Sequence, residues 1–267
     1  MKKVVGFLLV GLISYLISLV TLAPLNLIWP YLPKPEGLQV GTVEGLIWRG
    51  EAYNIQLPIA NSPTLQRFNW EFQAPLLLQG QVALKWDTQV LGGTASGICG
   101  LNWRTQVHCQ TLEWDLPANV VKQLAPDYAF LIPDLAGQLR GNAFDLIWGR
   151  QGLPQFTGQL AWDNPETLTG IPMNLGKAFK VALSGDDAGI KGFATSEQTP
   201  IDITGSQINL APTGHYQLET LIRATPETPD PLRQGLDMMF GMAQADGTYR
   251  QLLEGDVILP PALQNTP

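Results

Sequence analysis

Alternation of apolar and polar side chains with a period of two sets the strongest limit on how this chain folds. In residues 80–90 (GQVALKWDTQV), Val82, Leu84, Trp86, Thr88 and Val90 point one way, while Gln81, Ala83, Lys85, Asp87 and Gln89 point the other. Residues 67–74 (RFNWEFQA) set Phe68, Trp70 and Phe72 against Arg67, Asn69, Glu71 and Gln73. Residues 214–224 (GHYQLETLIRA) set Tyr216, Leu218, Thr220 and Ile222 against His215, Gln217, Glu219 and Arg223. Successive side chains of a strand leave on opposite faces, so these segments are strands with one apolar and one wet face. Such sheets are mostly antiparallel, because parallel sheets are covered on both sides and read as continuous apolar runs.

Further strands are expected near residues 38–48, 50–58, 93–99, 105–114, 136–149, 155–162, 176–184, 188–195 and 200–210. Turn clusters such as Gly92-Gly93, Asn164-Pro165, Gly185-Asp186-Asp187 and Pro212-Thr213-Gly214 separate most of them. Two helices stand out. Asp230 reads as an N-cap followed by Pro231 at the first helical position, with Leu232, Leu236, Met239 and Phe240 recurring on one face. Residues 116–126 (LPANVVKQLAP) hold a shorter candidate bounded by prolines, with Val120, Val121 and Leu124 on one side. The expected fold class is mainly β. It is a single long curved antiparallel sheet, open like a groove or half-barrel, with two short helices and one transmembrane helix before it.

That transmembrane expectation rests on residues 4–33, which contain no Asp, Glu, Lys or Arg. Residues 4–22 (VVGFLLVGLISYLISLVTL) are almost continuously apolar, and as a helix would reach about 28 Å, against a hydrocarbon core of about 30 Å. Thirteen of them are Leu, Ile, Val or Phe, which sets an upper bound of about −4 to −8 kcal/mol on insertion. A cleaved signal peptide is the rival reading, since Lys2 and Lys3 form a charged start and Thr21-Leu22-Ala23 loosely resembles a cleavage site. The apolar run exceeds the usual signal core and continues through Leu25, Leu27, Ile28 and Trp29, which favours an uncleaved anchor. Lys2 and Lys3 place the N-terminus in the cytoplasm. Trp29 to Gly37 (WPYLPKPEG) then reads as a stiff stalk, because its prolines favour extended backbone. The domains expected are residues 1–30, a short cytoplasmic start and anchor, and residues 31–267, a β-sheet domain across the membrane.

Chemistry is scarce. Only 15% of residues are charged and the net charge is −7 with no basic cluster, which argues against nucleic acid as a partner. The histidines are His108 and His215, and there is no Gly-x-Ser-x-Gly elbow, phosphate loop or dinucleotide fingerprint. Asp186-Asp187 has turn composition, and Glu113 and Asp115 share the wet side of a strand. No catalytic residue, metal ligand or cofactor is assigned, and the chain is expected not to be an enzyme. Cys99 and Cys109, the only cysteines, leave three readings open: a disulfide, two buried thiols, or metal ligands with His108. A disulfide would place the domain in an oxidising compartment such as the bacterial periplasm. Of eight tryptophans, Trp70, Trp86, Trp103 and Trp114 are assigned to successive strands. They form either an apolar core layer or the lining of a groove for a lipid tail, a protein segment or a partner sheet.

The order of these pieces resembles the type II secretion system (general secretion pathway) protein N family along nearly the whole chain. Residues 37–52 (GLQVGTVEGLIWRGEA) look like the family's early Gly-x-x-W-x-G strand pair, and residues 135–162 (LAGQLRGNAFDLIW into FTGQLAW) like its central paired strands. Residues 183–224 resemble its run of short hairpins, and residues 232–255 (LRQGLDMMFGMAQADGTYRQLLEG) its C-terminal leucine-rich helix and D-G-x-Y strand. The resemblance implies an accessory inner-membrane component of the machine that exports folded proteins from the periplasm. Its partners would be other inner-membrane or outer-membrane components, with the membrane held through the N-terminal helix and the C-terminal domain in the periplasm. The family has no known catalytic residues, so the resemblance transfers none. The wet-faced sheet is also similar in style to periplasmic β-groove proteins that handle lipid, the AsmA and TamB relatives, which makes lipid binding or transfer the alternative function.

Overall fold

A computed structural model describes residues 11, 14, 15, 22–57, 63–124, 133–149, 152–169 and 172–257. The strands in chain order are β1 (Thr42–Leu46), β2 (Arg49–Ile55), β3 (Leu65–Phe72), β4 (Gln81–Val90), β5 (Gly93–Asn102), β6 (Val107–Pro117), β7 (Leu135–Trp148) and β8 (Gln155–Thr167). They continue as β9 (Met173–Asn174), β10 (Ala178–Asp186), β11 (Gly189–Glu197), β12 (Ile201–Asp202), β13 (Gln207–Leu210), β14 (His215–Ala224) and β15 (Thr248–Asp256). Among the described residues four short helices accompany them: α1 (Leu25–Ile28), α2 (Ala74–Leu77), α3 (Val120–Leu124) and α4 (Asp230–Phe240).

All fifteen strands form one antiparallel sheet, running from β1 through β8, then β10, β11, β13, β14 and β15. Nearly every strand pairs with its sequence neighbour, as short turns between half-buried strands dictate. Among the described residues the two outermost strands, β1 and β15, do not pair with each other, so the sheet is open and not a closed barrel.

The expected strand at 200–210 is two strands. Both β12 and β13 pair with β14, and the gap between them is bridged by Ser206, whose Oγ donates to the Leu221 carbonyl at 2.9 Å and accepts from the Leu221 amide at 2.8 Å. A side chain there takes over the ladder positions of a backbone diverted by Gly205, at φ +98°. Helix α4 also differs in its start: Pro229 holds the cap position and Asp230 is the first helical residue. Helices α1 and α2, too short for a periodic signal, were not expected from the sequence. Of the expected membrane anchor only Gly11, Ser14, Tyr15 and Leu22 are described, each helical, and the rest lies outside the described residues. Among the described residues no helix is long and apolar enough to cross a membrane.

The register makes two unlike faces. One cross-strand row reads Gly45, Gly50, Trp70, Trp86, Gly97, Leu112, Ala143, Gly158, Leu183, Gly192, Ile208, Leu218, Leu253. The row one residue along reads Glu44, Glu51, Asn69, Asp87, Ser96, Glu113, Asn142, Gln159, Ala182, Phe193, Gln207, Glu219, Leu252. Period-two patterning therefore propagates across the whole sheet, since a slip of one residue anywhere would exchange the faces.

The apolar face is covered at its two ends. Leu25 of α1 is buried with Val43, Ala52 and Ile55, and Trp29, Leu32, Phe68 and Trp70 pack around them. At the far end Leu236 and Phe240 of α4 pack on Ile222 and Tyr249. Between these ends Trp86, Leu112, Trp114, Leu160 and Val181 are only half-buried, and Val82 and Leu101 are 60% and 54% exposed.

Candidate functional site

Three of the four tryptophans singled out in the sequence share the apolar face. Trp70 on β3 stands directly opposite Trp86 on β4, and the Phe68 ring stacks against both at centroid distances of 6.1 Å. Trp114 on β6 lies two strands further on, opposite Ala95. Trp103 is not on a strand. It sits in the turn between β5 and β6, 76% exposed, with the Arg104 guanidinium 4.9 Å from its ring centre. The Asn102-Trp103-Arg104-Thr105 sequence favours that turn: Asn102 Oδ1 accepts from the amides of Arg104 and Gln106, and Thr105 takes φ +60°.

Each of these three tryptophans lies over a glycine. A Cβ placed on Gly50 would come within 2.5 Å of the Trp70 ring, one on Gly97 within 3.3 Å of Trp86, and one on Gly141 within 2.1 Å of Trp114. All three are directly opposed pairs. Gly185 beneath Phe156 and Gly255 beneath Tyr216 repeat the arrangement. Glycine in a strand weakens it, and a cross-strand aromatic ring covers the exposed backbone in compensation. The ring then fills the space above the glycine backbone. The sequence carries the signal for this, a glycine at an apolar-face position opposite each bulky ring, but it is readable only once register is known.

Cys99 and Cys109 also lie on the apolar face, opposite one another on β5 and β6, and are joined in a disulfide. A bulge at Ile98/Cys99 brings them into register. His108, on the other face, contacts the Gln81 amide through Nδ1 at 2.8 Å, and among the described residues no group of three His, Cys, Asp or Glu is placed to hold a metal ion.

The polar face is an ion-paired surface. Arg67 pairs with Glu51 at 3.0 Å, and the Tyr53 hydroxyl donates to Glu51 at 2.6 Å; that hydrogen bond, with the nearby guanidinium, holds the Glu51 carboxyl below its ordinary range. Arg140 bridges Asp115 and Asp163, each at 3.3 Å. These groups line an open polar depression of about 460 Å³ together with Glu113, Asn142 and Lys180. Lys177 and Lys180 both donate to Glu197, and these hydrogen bonds lower its pKa to about 2. His215 pairs with Asp256 at 3.1 Å across β14 and β15. Asp186 is a turn residue whose Oδ1 accepts from the amides of Ala188 and Gly189.

Fold and faces together define an open single-sheet β protein with one largely apolar face and one ion-paired face. The family model for type II secretion system (T2SS), protein N matches residues 36–251, and the chain belongs to that family. Among curated proteins it is similar to type II secretion system protein N of Aeromonas hydrophila, 26% identical over 255 residues, covering 94% of this chain and 96% of that protein. It is similar also to type II secretion system protein N of Vibrio cholerae, 25% identical over 258 residues, with the same coverage of both. No solved structure matches.

Proposed function

We propose that this protein is a membrane-tethered scaffold of the type II secretion apparatus, with residues 4–22 spanning the inner membrane once and residues 31–267 in the periplasm. The N-terminal apolar run and the two lysines before it support the tether. The Cys99–Cys109 disulfide supports an oxidising compartment for the sheet. Its role is contact with other components of the machine and not turnover of a substrate.

One observation carries the contact reading. Among the described residues β15 pairs only with β14, so its outer edge is open at the end of the sheet. Unpaired edge amides and carbonyls accept a strand from a partner, and neighbouring apolar side chains set which partner. Leu252 on β15 is 52% exposed, and Met238, Met239 and Met242, on and just beyond α4, are more exposed still, Met242 at 96%. Exposed methionines are common where a surface must repack against a partner.

Photocrosslinking in cells from Leu252 and Met242, with adducts identified by mass, tests this reading. Adducts to secretion-apparatus proteins support it, and adducts to unrelated envelope proteins alone overturn it.

A further inference from the structure

We infer that the uncovered middle of the apolar face is a binding site for the acyl chains of membrane phospholipid. The inference rests on the tether proposed above for the direction of entry, but not for the chemistry of the face.

The face is nearly uncharged. From β3 to β14 the residues paired in register with the tryptophans include no Asp, Glu, Lys, Arg or His, and Asp145 enters the face only at the β7 bulge opposite Phe156, whereas the opposite face holds the ion pairs. Even obligate protein interfaces carry a polar rim and about one hydrogen bond per 100–200 Å². This face offers Thr88 as one of its few hydroxyls, and that hydroxyl is already committed to the Arg67 carbonyl at 2.7 Å. An acyl chain needs no polar partner. Shape points the same way: a helix docks by setting ridges into grooves, while the Trp86 and Trp114 rings fill the space over Gly97 and Gly141.

Dimensions fit. From β4 to β11 the uncovered face crosses six strand spacings, about 29 Å, and one leaflet contributes about 15 Å of hydrocarbon. Position fits as well. The chain leaves its N-terminal apolar run and packs Leu25 and Trp29 directly on the β1–β3 end of this same face. A membrane anchor there sets the start of the apolar face at the bilayer surface, and α4 closes the other end. A large exposed apolar surface on a secreted domain demands an occupant, and here the nearest hydrocarbon is the bilayer itself.

The test places the photoreactive amino acid benzoylphenylalanine at Trp86, Leu112 or Phe179 on the apolar face, and at Asp87 or Glu113 on the polar face, in the full-length chain. Cells are grown with radioactive phosphate so that phospholipids are labelled. Resistance to limited proteolysis equal to that of the wild type identifies each variant as folded. Label on the chain after irradiation is expected from the three apolar positions and not from the two polar ones. Equal label from both faces, or protein adducts with no label at Trp86, Leu112 and Phe179, overturns the inference. Membrane and soluble fractions of the same cells report on the tether separately. A soluble chain would sink the tether, while label at Trp86 would still decide the site.

Discussion

The indole of Trp114 lies over Gly141, its directly opposed partner on β7, so closely that a Cβ on Gly141 would stand 2.1 Å from the ring. Replacing that glycine should therefore displace the ring and open the face locally. Gly141→Ala is expected to lower unfolding free energy by about 1–3 kcal/mol, as overpacking usually does. In a Trp114→Ala background the same change should cost much less, because the clash is gone. Urea unfolding of the four detergent-solubilised variants measures the coupling.

The Cys99–Cys109 bridge closes a loop at a sequence separation of 10. Chain-entropy arguments give such a bridge about 2.5–3 kcal/mol through the unfolded state. The double variant Cys99→Ser/Cys109→Ser should lose that amount, and dithiothreitol should shift the wild-type midpoint equally. A midpoint indifferent to reductant would contradict the prediction.

Glu197 gives the fold an acid-sensitive joint between β10 and β11. Hydrogen bonds from Lys177 and Lys180 lower its pKa from 4.5 to about 2. Between those values the unfolded chain binds the proton more readily than the folded one. The contribution is fully present above pH 4.5 and is lost as the pH falls toward 2. Wild type should thus destabilise more steeply than Glu197→Gln across that window, with the difference constant above it. Unfolding midpoints at half-unit pH steps check this.

The exposed methionines of the α4 end should matter to partners and not to folding. Met238→Glu/Met242→Glu is expected to reduce secretion while leaving the unfolding free energy within about 0.5 kcal/mol, the usual range for surface changes. Export of a reporter enzyme and the thermal midpoint are read on the same variant. Lost export with a collapsed midpoint would assign these residues to stability instead.

The tether predicts its own chemistry. Removal of residues 1–22 should release the chain from membranes, and the full-length chain should resist extraction at alkaline pH. Alkaline phosphatase fused after residue 257 should be active, as that enzyme folds only outside the cytosol. An inactive fusion in an intact chain would reverse the proposed orientation.

Much of the sheet was legible because each strand had one wet face. Trp86, Trp70 and Tyr216 lie where alternation puts them, and the turns at Gly92-Gly93 and Asp186-Asp187 stand where expected. Trp103 was misplaced because its spacing mimics a strand, while Asn102 directly before it supplies the side-chain acceptor that makes a turn. The break between β12 and β13 escaped because it depends on Ser206 meeting Leu221, a contact fifteen residues away in sequence. The ring-over-glycine pairing was hidden for the same reason. Glycine opposite tryptophan is a property of register, and register belongs to pairs of strands.

Because almost every strand takes its immediate successor as neighbour, the sheet can be laid down in the order the polypeptide emerges. A nascent chain threading out of a translocation channel need not wait for its C-terminus before earlier hairpins close, and short-range closure of this kind is fast. Assembly would begin at β1 and advance along the sheet, and α4 would fold over the last strands only when elongation is nearly finished.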